Sequence, residues 1–442
     1  MAMPTSFRPY DPEQSLLLPP SLRDWLPEGH LAYFVSDSVD LMDLAAFYAP
    51  YEEDGRRNQP FDPRMMLKVL LYAYSTGTFS SRKIARKLEE DVAYRVLAVG
   101  NQPAHRTICE FRQVHLAAFR ALFVQLVQIA REAGVVKLGT LALDGTKVKA
   151  NASKRKAMSY GRMLEQERRL KAEIAALTAQ AEAVDAAEDE KHGAGRRGDE
   201  LPEELRLRAS RLSKIQQAKA RLEARQAEAD RAKGRSPDDP QGGSPGGRKF
   251  VREFGVPTDK AQDNFTDPES RIMKTTHGFD QCFNAQIAVD ESSQMIVAAT
   301  LTNNAADSGQ LIPVLDEVRA TLEITSKELL ADAGYRAEKT FRELESRGID
   351  AYISLSRGSK PGAPISPALE ATGRMKSKLA SETGSQRYRR RKAIVEPVFG
   401  WIKEVLGFRR FSLRGQLKAA GEWNLVCLAV NLKRFRVIQA AI

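Results

Sequence analysis

The alternation of apolar and polar positions divides the chain into a helical first third, a polar helical stretch and a strand-rich remainder. Over residues 31–48 apolar side chains recur at helical spacing, and Pro63 sits where a first helical turn tolerates proline, opening a second segment that runs through Tyr74. Ser80 or Ser81 predicts the cap of a helix with Ile84, Ala85 and Leu88 on one face. A short helix ending at Gly100 follows. A last one, after Pro103, carries Arg106, Ile108, Phe111 and Arg112. Short helices, tight turns and basic exposed positions fit a helix-turn-helix module, and a plain helical bundle fits the same spacing.

The period changes at residues 135–150, where VVKLGTLALDGTKVKA is strand-like with a charged break at Asp144 and Gly145. Residues 159–233 are rich in Ala, Glu, Arg, Lys, Leu and Gln, with Gly and Pro interrupting them over 192–202. This predicts a helical hairpin or short coiled coil. The stretch 235–247, RSPDDPQGGSPGG, has the composition of a flexible linker. Residues 283–290 and 295–302 predict a β-hairpin. A helix over 307–322, a buried strand within 327–335, a helix over 338–346 and a strand over 351–355 follow. Helices around 393–406 and 422–435 close the chain, giving a mixed α/β layer architecture. The boundaries fall at 1–135, 136–158, 159–247 and 248–442.

A length of 442 residues suggests two or three domains, and 42% apolar residues suffice for packed cores. The net charge of +11 favours a polyanionic partner. Over 387–434 twelve Lys and Arg stand against three acids, with Tyr388, Phe399, Trp401, Phe408 and Phe411 interleaved, which is the composition of a nucleic-acid surface. No stretch is apolar enough to span a bilayer, and the N-terminus does not read as a signal peptide. Cys109, Cys282 and Cys427 lie far apart and, with five scattered histidines, offer no zinc site. A reducing cytoplasm is the expected compartment. Any metal would be held by oxygen, which suits Mg²⁺, with Mn²⁺ as a possible substitute.

Three carboxylates then draw notice. Asp144 follows Leu141-Ala-Leu in a strand, and Asp332 has the same setting after Leu329-Leu-Ala, with Ala333-Gly334 leaving room beside it. Glu396 sits among apolar residues in Ile394-Val-Glu-Pro-Val-Phe-Gly-Trp. Carboxylates converging from distant segments are what a two-metal phosphodiester site needs. Asp290 and Asp307 are rivals for the second position, the first followed by turn residues and the second standing where a helix cap is expected.

These segments resemble the bacterial insertion-sequence transposases of the DDE type, with an RNase H-like catalytic core. The resemblance rests on LALDGTKVKANASK with Asp144, on THGFDQCFNAQIAVDESSQMIVAATLTNNAADSGQL, on LLADAGY with Asp332 and on YRRRKAIVEPVFGWIK with Glu396. Tyr388, Arg391 and Lys403 match the signature around the glutamate, the first two each one position further from it than in the commonest form. FRPYDPEQ, FDPRMMLKVLLYAY and RTICEFRQVH are similar to the family's N-terminal domain. The resemblance implies a catalytic domain split between 136–158 and 248–442 around an insertion. It implies DNA cleavage and strand transfer with Asp144, Asp332 and Glu396 as metal ligands, and a homodimer in the active complex. Lys403, Tyr388 and Arg389–Arg391 become expected contacts to the DNA backbone, and Arg106 and Arg112 contacts to the terminal repeats. The alternatives are a repressor, which leaves the three acids unexplained, an inactive transposase-derived protein without catalysis, and a coiled-coil scaffold, which explains only residues 159–233.

Overall fold

The computed structural model describes residues 21–51, 59–192, 203–238, 252–276, 278–323, 326–355 and 368–440. The segment FRPYDPEQ, the break expected over 192–202, most of the linker and His277 lie outside the described residues. Chain contacts separate two units, 1–126 with 428–442, and 127–427.

The first unit is helical: α1 (Leu31–Asp40), α2 (Ala45–Tyr48), α3 (Pro63–Ser75), α4 (Ser81–Glu90), α5 (Val92–Leu97), α6 (His105–Val114) and the start of α7 (Leu116–Glu132). The helix expected over 31–48 is broken, because the Asp43 carboxylate accepts the Ala45 N–H at 2.9 Å and starts a new turn there. Asp62 caps α3, accepting from the Arg64 and Met65 amides, with Pro63 in the first turn. Apolar nearly all round, α3 is buried along most of its length. Ser80 precedes α4 without a side-chain capping bond.

The second unit contains β1 (Thr140–Lys149), β2 (Ala157–Ser159), α8 (Tyr160–His192), α9 (Glu203–Arg231), β3 (Gln262–Asn264), β4 (Arg271–Thr275), β5 (Gly278–Asp290) and β6 (Ile296–Thr302). It continues with α10 (Leu311–Leu322), β7 (Glu328–Ala331), α11 (Glu338–Ser346), β8 (Asp350–Ile353), α12 (Glu370–Ala380), α13 (Glu382–Gly400) and α14 (Gln416–Gln439), which runs past the unit's end. β5 and β1 pair antiparallel, β1 with β7 and β7 with β8 parallel, and β6 joins the far edge of β5. An antiparallel β6-β5-β1 half continued by parallel β7 and β8, with helices against it, is the RNase H-like arrangement. β1 runs unbroken through Asp144 and Gly145, where the sequence suggested an interruption. At the centre, β5 is buried from Gln281 to Asp290.

The helices α8 and α9 have a small core of their own in Tyr160, Met163, Leu170, Ile215, Ala218 and Leu222. They leave the sheet beside β2 and return beside β3, which pair antiparallel. Among the described residues no single helix is long and apolar enough to cross a membrane. Only α6 and α7 taken together, across a 69° bend, meet that test by length and composition.

Candidate active site

In parallel neighbours the residues following a paired position also stand side by side. Leu143 on β1 pairs with Ala331 on β7, so Asp144 and Asp332 emerge together where β7 ends. Asp332 caps the 3₁₀ turn Ala333–Tyr335, its Oδ1 accepting the Gly334 N–H at 2.7 Å. The Oδ1 of Asp144 accepts the Gly145 N–H at 2.7 Å, and its Oδ2 accepts from Arg391 Nη1, also at 2.7 Å. Burial pushes the Asp144 pKa up to about 6. Arg391 and the Gly145 amide pull it down, and Asp332 adds a further upward push. Tyr335 is buried beneath the pair, its hydroxyl donating to Gln286 Oε1, and burial among Asp144, Asp307 and Asp332 holds it neutral.

The row of α13 that faces the sheet is Arg391, Ile394, Val395 and Val398, continued by Ile402. Pro397 has no N–H for the Ala393 carbonyl, and Gln294 from the β5–β6 turn donates to that oxygen at 3.2 Å. The helix ends in a π-turn, Trp401–Val405. Within it Lys403 reaches back to β1, donating to Thr146 Oγ1 and, at 3.4 Å, to the Lys147 carbonyl. Burial lowers the Lys403 pKa.

The site residues expected from sequence are therefore only partly assembled. Asp144, Asp332 and Arg391 come together, and Lys403 lies two residues further along β1. Glu396 is on the exposed side of α13, outside the inward row. Among the described residues no three His, Cys, Asp or Glu side chains are grouped to hold one metal ion. Tyr388 lines a cavity of about 650 Å³ with Arg336, Phe341, Leu355 and Lys376. Arg389 is exposed, and Arg390 pairs with Glu291 at 2.7 Å.

Two arginines expected on DNA have other partners. Arg391 is buried against Asp144. Arg112 is 3% exposed, its guanidinium donating to Tyr74 Oη, the Phe79 carbonyl and Ser81 Oγ. It is a core residue because it falls on the inward row of α6 with Ile108 and Phe111. Arg106 is exposed on the same helix.

Sequence reasoning set Asp307 aside as a helix cap. In the structure Gln310 occupies the position before α10, and the Asp307 carboxylate turns back to β1 and β5, accepting from Lys147, Asn284 and Gln286. Asp290 is a turn residue, accepting from Leu138, Ser292 and Ser293.

A family model described as Transposase DDE domain matches residues 254–432, and one described as Transposase domain (DUF772) matches residues 20–114. The chain belongs to the DDE-type insertion-sequence transposases. No curated protein and no solved structure matches it. The first match begins after the α8–α9 insertion, so it takes in Asp332 and Glu396 and leaves Asp144 upstream of the transposase's matched region. Membership implies action on DNA and use of a divalent metal. Two adjacent carboxylates, one with its pKa pushed up to about 6, form a hard, oxygen-only donor pair whose repulsion a cation relieves. The pair fits such an ion, and Glu396 does not stand beside it.

Proposed function

We propose that the transposase binds the terminal inverted repeats of an insertion sequence and catalyses Mg²⁺-dependent cleavage and strand transfer, with Asp144, Asp332 and Glu396 as metal-binding carboxylates. The observation that carries this reading is that Asp144 and Asp332 directly follow the paired residues Leu143 and Ala331 and stand half-buried side by side, with Arg391 the one arginine on Asp144. A divalent cation bound there supplies Lewis acidity toward a phosphoryl oxygen and eases deprotonation of the attacking water or 3′-hydroxyl.

The chain's own residues do the rest. In the free protein Arg391 is the counter-ion of Asp144, and it releases Oδ2 when the site is loaded. Freed, its guanidinium turns to a phosphate of the scissile strand. Glu396 lies five residues beyond Arg391, roughly 140° around the helix at 3.6 residues per turn, so α13 rotates or unwinds to bring it in. The π-turn at Trp401–Val405 and the bond missing at Pro397 make that end of the helix the compliant one. Lys403, bonded to Thr146 on β1, together with half-buried Tyr388 and exposed Arg389, holds the DNA backbone, and Arg106 on α6 contacts the terminal repeat. Exposed Lys154, Arg155, Lys156, Arg409 and Arg410 extend the cationic surface past the end of β1, where the Phe411 N–H donates to the Lys149 carbonyl at 2.8 Å.

The test is cleavage of end-repeat DNA by Asp144→Asn with binding measured in parallel. Loss of cleavage with binding retained supports the proposal, and unaltered cleavage removes it. A DNA-binding protein without catalysis is the second reading, favoured by the exposure of Glu396 outside the pair. It requires that the wild-type chain, too, leave end DNA uncut in Mg²⁺ and in Mn²⁺.

A further inference from the structure

Each aspartate of the pair is oriented by the backbone of a glycine beside it: Gly145 N–H on Asp144 and Gly334 N–H on Asp332. Neither glycine has a positive φ, so backbone freedom does not call for glycine at these positions. Close approach does. A Cβ at Gly145 would fall on the Gln286 amide and 2.9 Å from Asp307 Oδ1. A Cβ at Gly334 would lie 3.0 Å from Asp307 Oδ2 and 2.8 Å from Asp332 Oδ1. The same carboxylate is wedged against both glycines.

That wedge is held firmly. Asp307 Oδ1 accepts from Lys147 Nζ at 3.0 Å, Asn284 Nδ2 at 2.7 Å and Gln286 Nε2 at 3.0 Å, while Oδ2 faces Gly334. Burial raises its pKa, but Asn284, Lys147 and Gln286 together outweigh burial and keep the group ionised. Lys147 is on β1, Asn284 and Gln286 are on β5, and Gly334 follows β7. One side chain thus ties together the three strands around the site. The Gln286 that donates to it also accepts from Tyr335.

We infer that Asp307 is a positioning residue of the transposase: wedged between Gly145 and Gly334, it sets the direction and separation of the Asp144 and Asp332 carboxylates. The inference rests on the proposed role of that pair in holding metal. A carboxylate that orients metal ligands through the backbone, without touching the ion, acts on affinity by fixing geometry.

Mn²⁺ is the probe. Its binding to the full-length chain is followed by electron paramagnetic resonance without DNA, and cleavage of end DNA is measured beside it, for Asp307→Asn, Gly334→Ala, the double variant and Asp144→Asn. Circular dichroism and thermal melting check each fold. Asp307→Asn should weaken Mn²⁺ binding roughly tenfold or more, the scale of outer-shell losses. Gly334→Ala, which keeps the Asp307 charge and its three donors, should weaken it too, and the double variant should fall no further than the worse single. Wild-type affinity in Asp307→Asn overturns the inference. So does weakened binding in Asp307→Asn beside wild-type binding in Gly334→Ala, because that pattern reports charge and not position. If Asp307→Asn fails to fold, Gly334→Ala decides alone by the same criterion. Wild-type Mn²⁺ binding by Asp144→Asn overturns the metal reading of the pair, and the inference with it. Loss of binding there beside a wild-type Asp307→Asn removes the inference only.

Discussion

The root of the α8–α9 insertion encloses its aspartates almost completely, the middle of β1 half-buries Asp144, and the two places treat their acids in opposite ways. At the root, Asp263 is enclosed and takes Arg221 Nη2 at 2.6 Å on one oxygen and Arg225 on the other. Asp230, equally enclosed, pairs with Arg235 at 3.0 Å and Arg252 at 3.2 Å and accepts from Gly255 and Gln226. Burial alone would raise its pKa, but these partners together bring it below the ordinary value. Asp144 has a single arginine, a carboxylate neighbour and a pKa pushed up to about 6. Saturated charges fasten one part of the chain to another. An undersupplied pair retains an appetite for a cation, which is the property a metal site needs.

The sharpest way to break this comparison is to neutralise one member of each set. Asp144→Asn should lower end cleavage by roughly 10³-fold or more, as expected when a metal ligand is lost, with repeat binding within about twofold. Gel-based cleavage and binding assays on the same preparation read both. Asp263→Asn should do the reverse, costing on the order of 2–3 kcal/mol in urea unfolding, since it strips the partner from two arginines that are only partly exposed. Cleavage per folded molecule should persist. Equal loss of activity in the two variants would erase the distinction.

The pH dependence of stability separates the two kinds of acid by sign. Asp144 has its pKa raised from 3.8 to about 6, so between those values the folded chain holds a proton that the unfolded chain has lost. Wild-type stability relative to Asp144→Asn should therefore fall as pH rises from 4 to 6, by about 3 kcal/mol at most. Asp230 is shifted downward, so its contribution is intact above about 3.8 and fades only as pH drops below that. Urea titrations of each variant against wild type across pH 3–7 check both slopes. The smallest effect expected is on DNA affinity: Arg389→Ala should flatten the salt dependence of binding by about 0.9 in log–log slope, the share of one phosphate contact. Arg112→Ala, by contrast, should leave that slope unchanged and destabilise the helical unit, because the Arg112 guanidinium is inside it.

Much of this architecture was legible in the chain. The Pro63 helix, the β5–β6 hairpin, the strand before Asp332 and the helical insertion all carry strong local periodicity. The helix α12 and the strand β4 are not legible in the sequence, since EATGRMKSKLA and RIMKT have little apolar content of their own and are fixed by what they pack against. The onset of α13 lies eleven residues before the start that apolar spacing predicts, because its first turns are a run of arginines and other polar residues. The inward row at 391, 394, 395 and 398 was available from the i, i+3, i+4, i+7 rule, and it would have set Glu396 on the outer side and Arg391 on the inner. The same rule places Arg112 with Ile108 and Phe111. Nothing in the local sequence reveals Asp307, whose partners lie on β1 and β5 and beyond β7.

The β2–β3 pair bears on how the chain finds its fold. Lys149 must meet Cys282 for β1 and β5 to zip together, a closure across roughly 130 residues of chain. The α8–α9 hairpin makes its own local contacts, and once Ser159 lies against Gln262 the remaining path shortens to about 30 residues. Two halvings of a loop relieve about 1 kcal/mol of closure entropy, which translates into faster nucleation of a sheet dominated by long-range pairing. A helical hairpin inserted between β1 and β5 thus shortens the chain path that separates the two strands it interrupts.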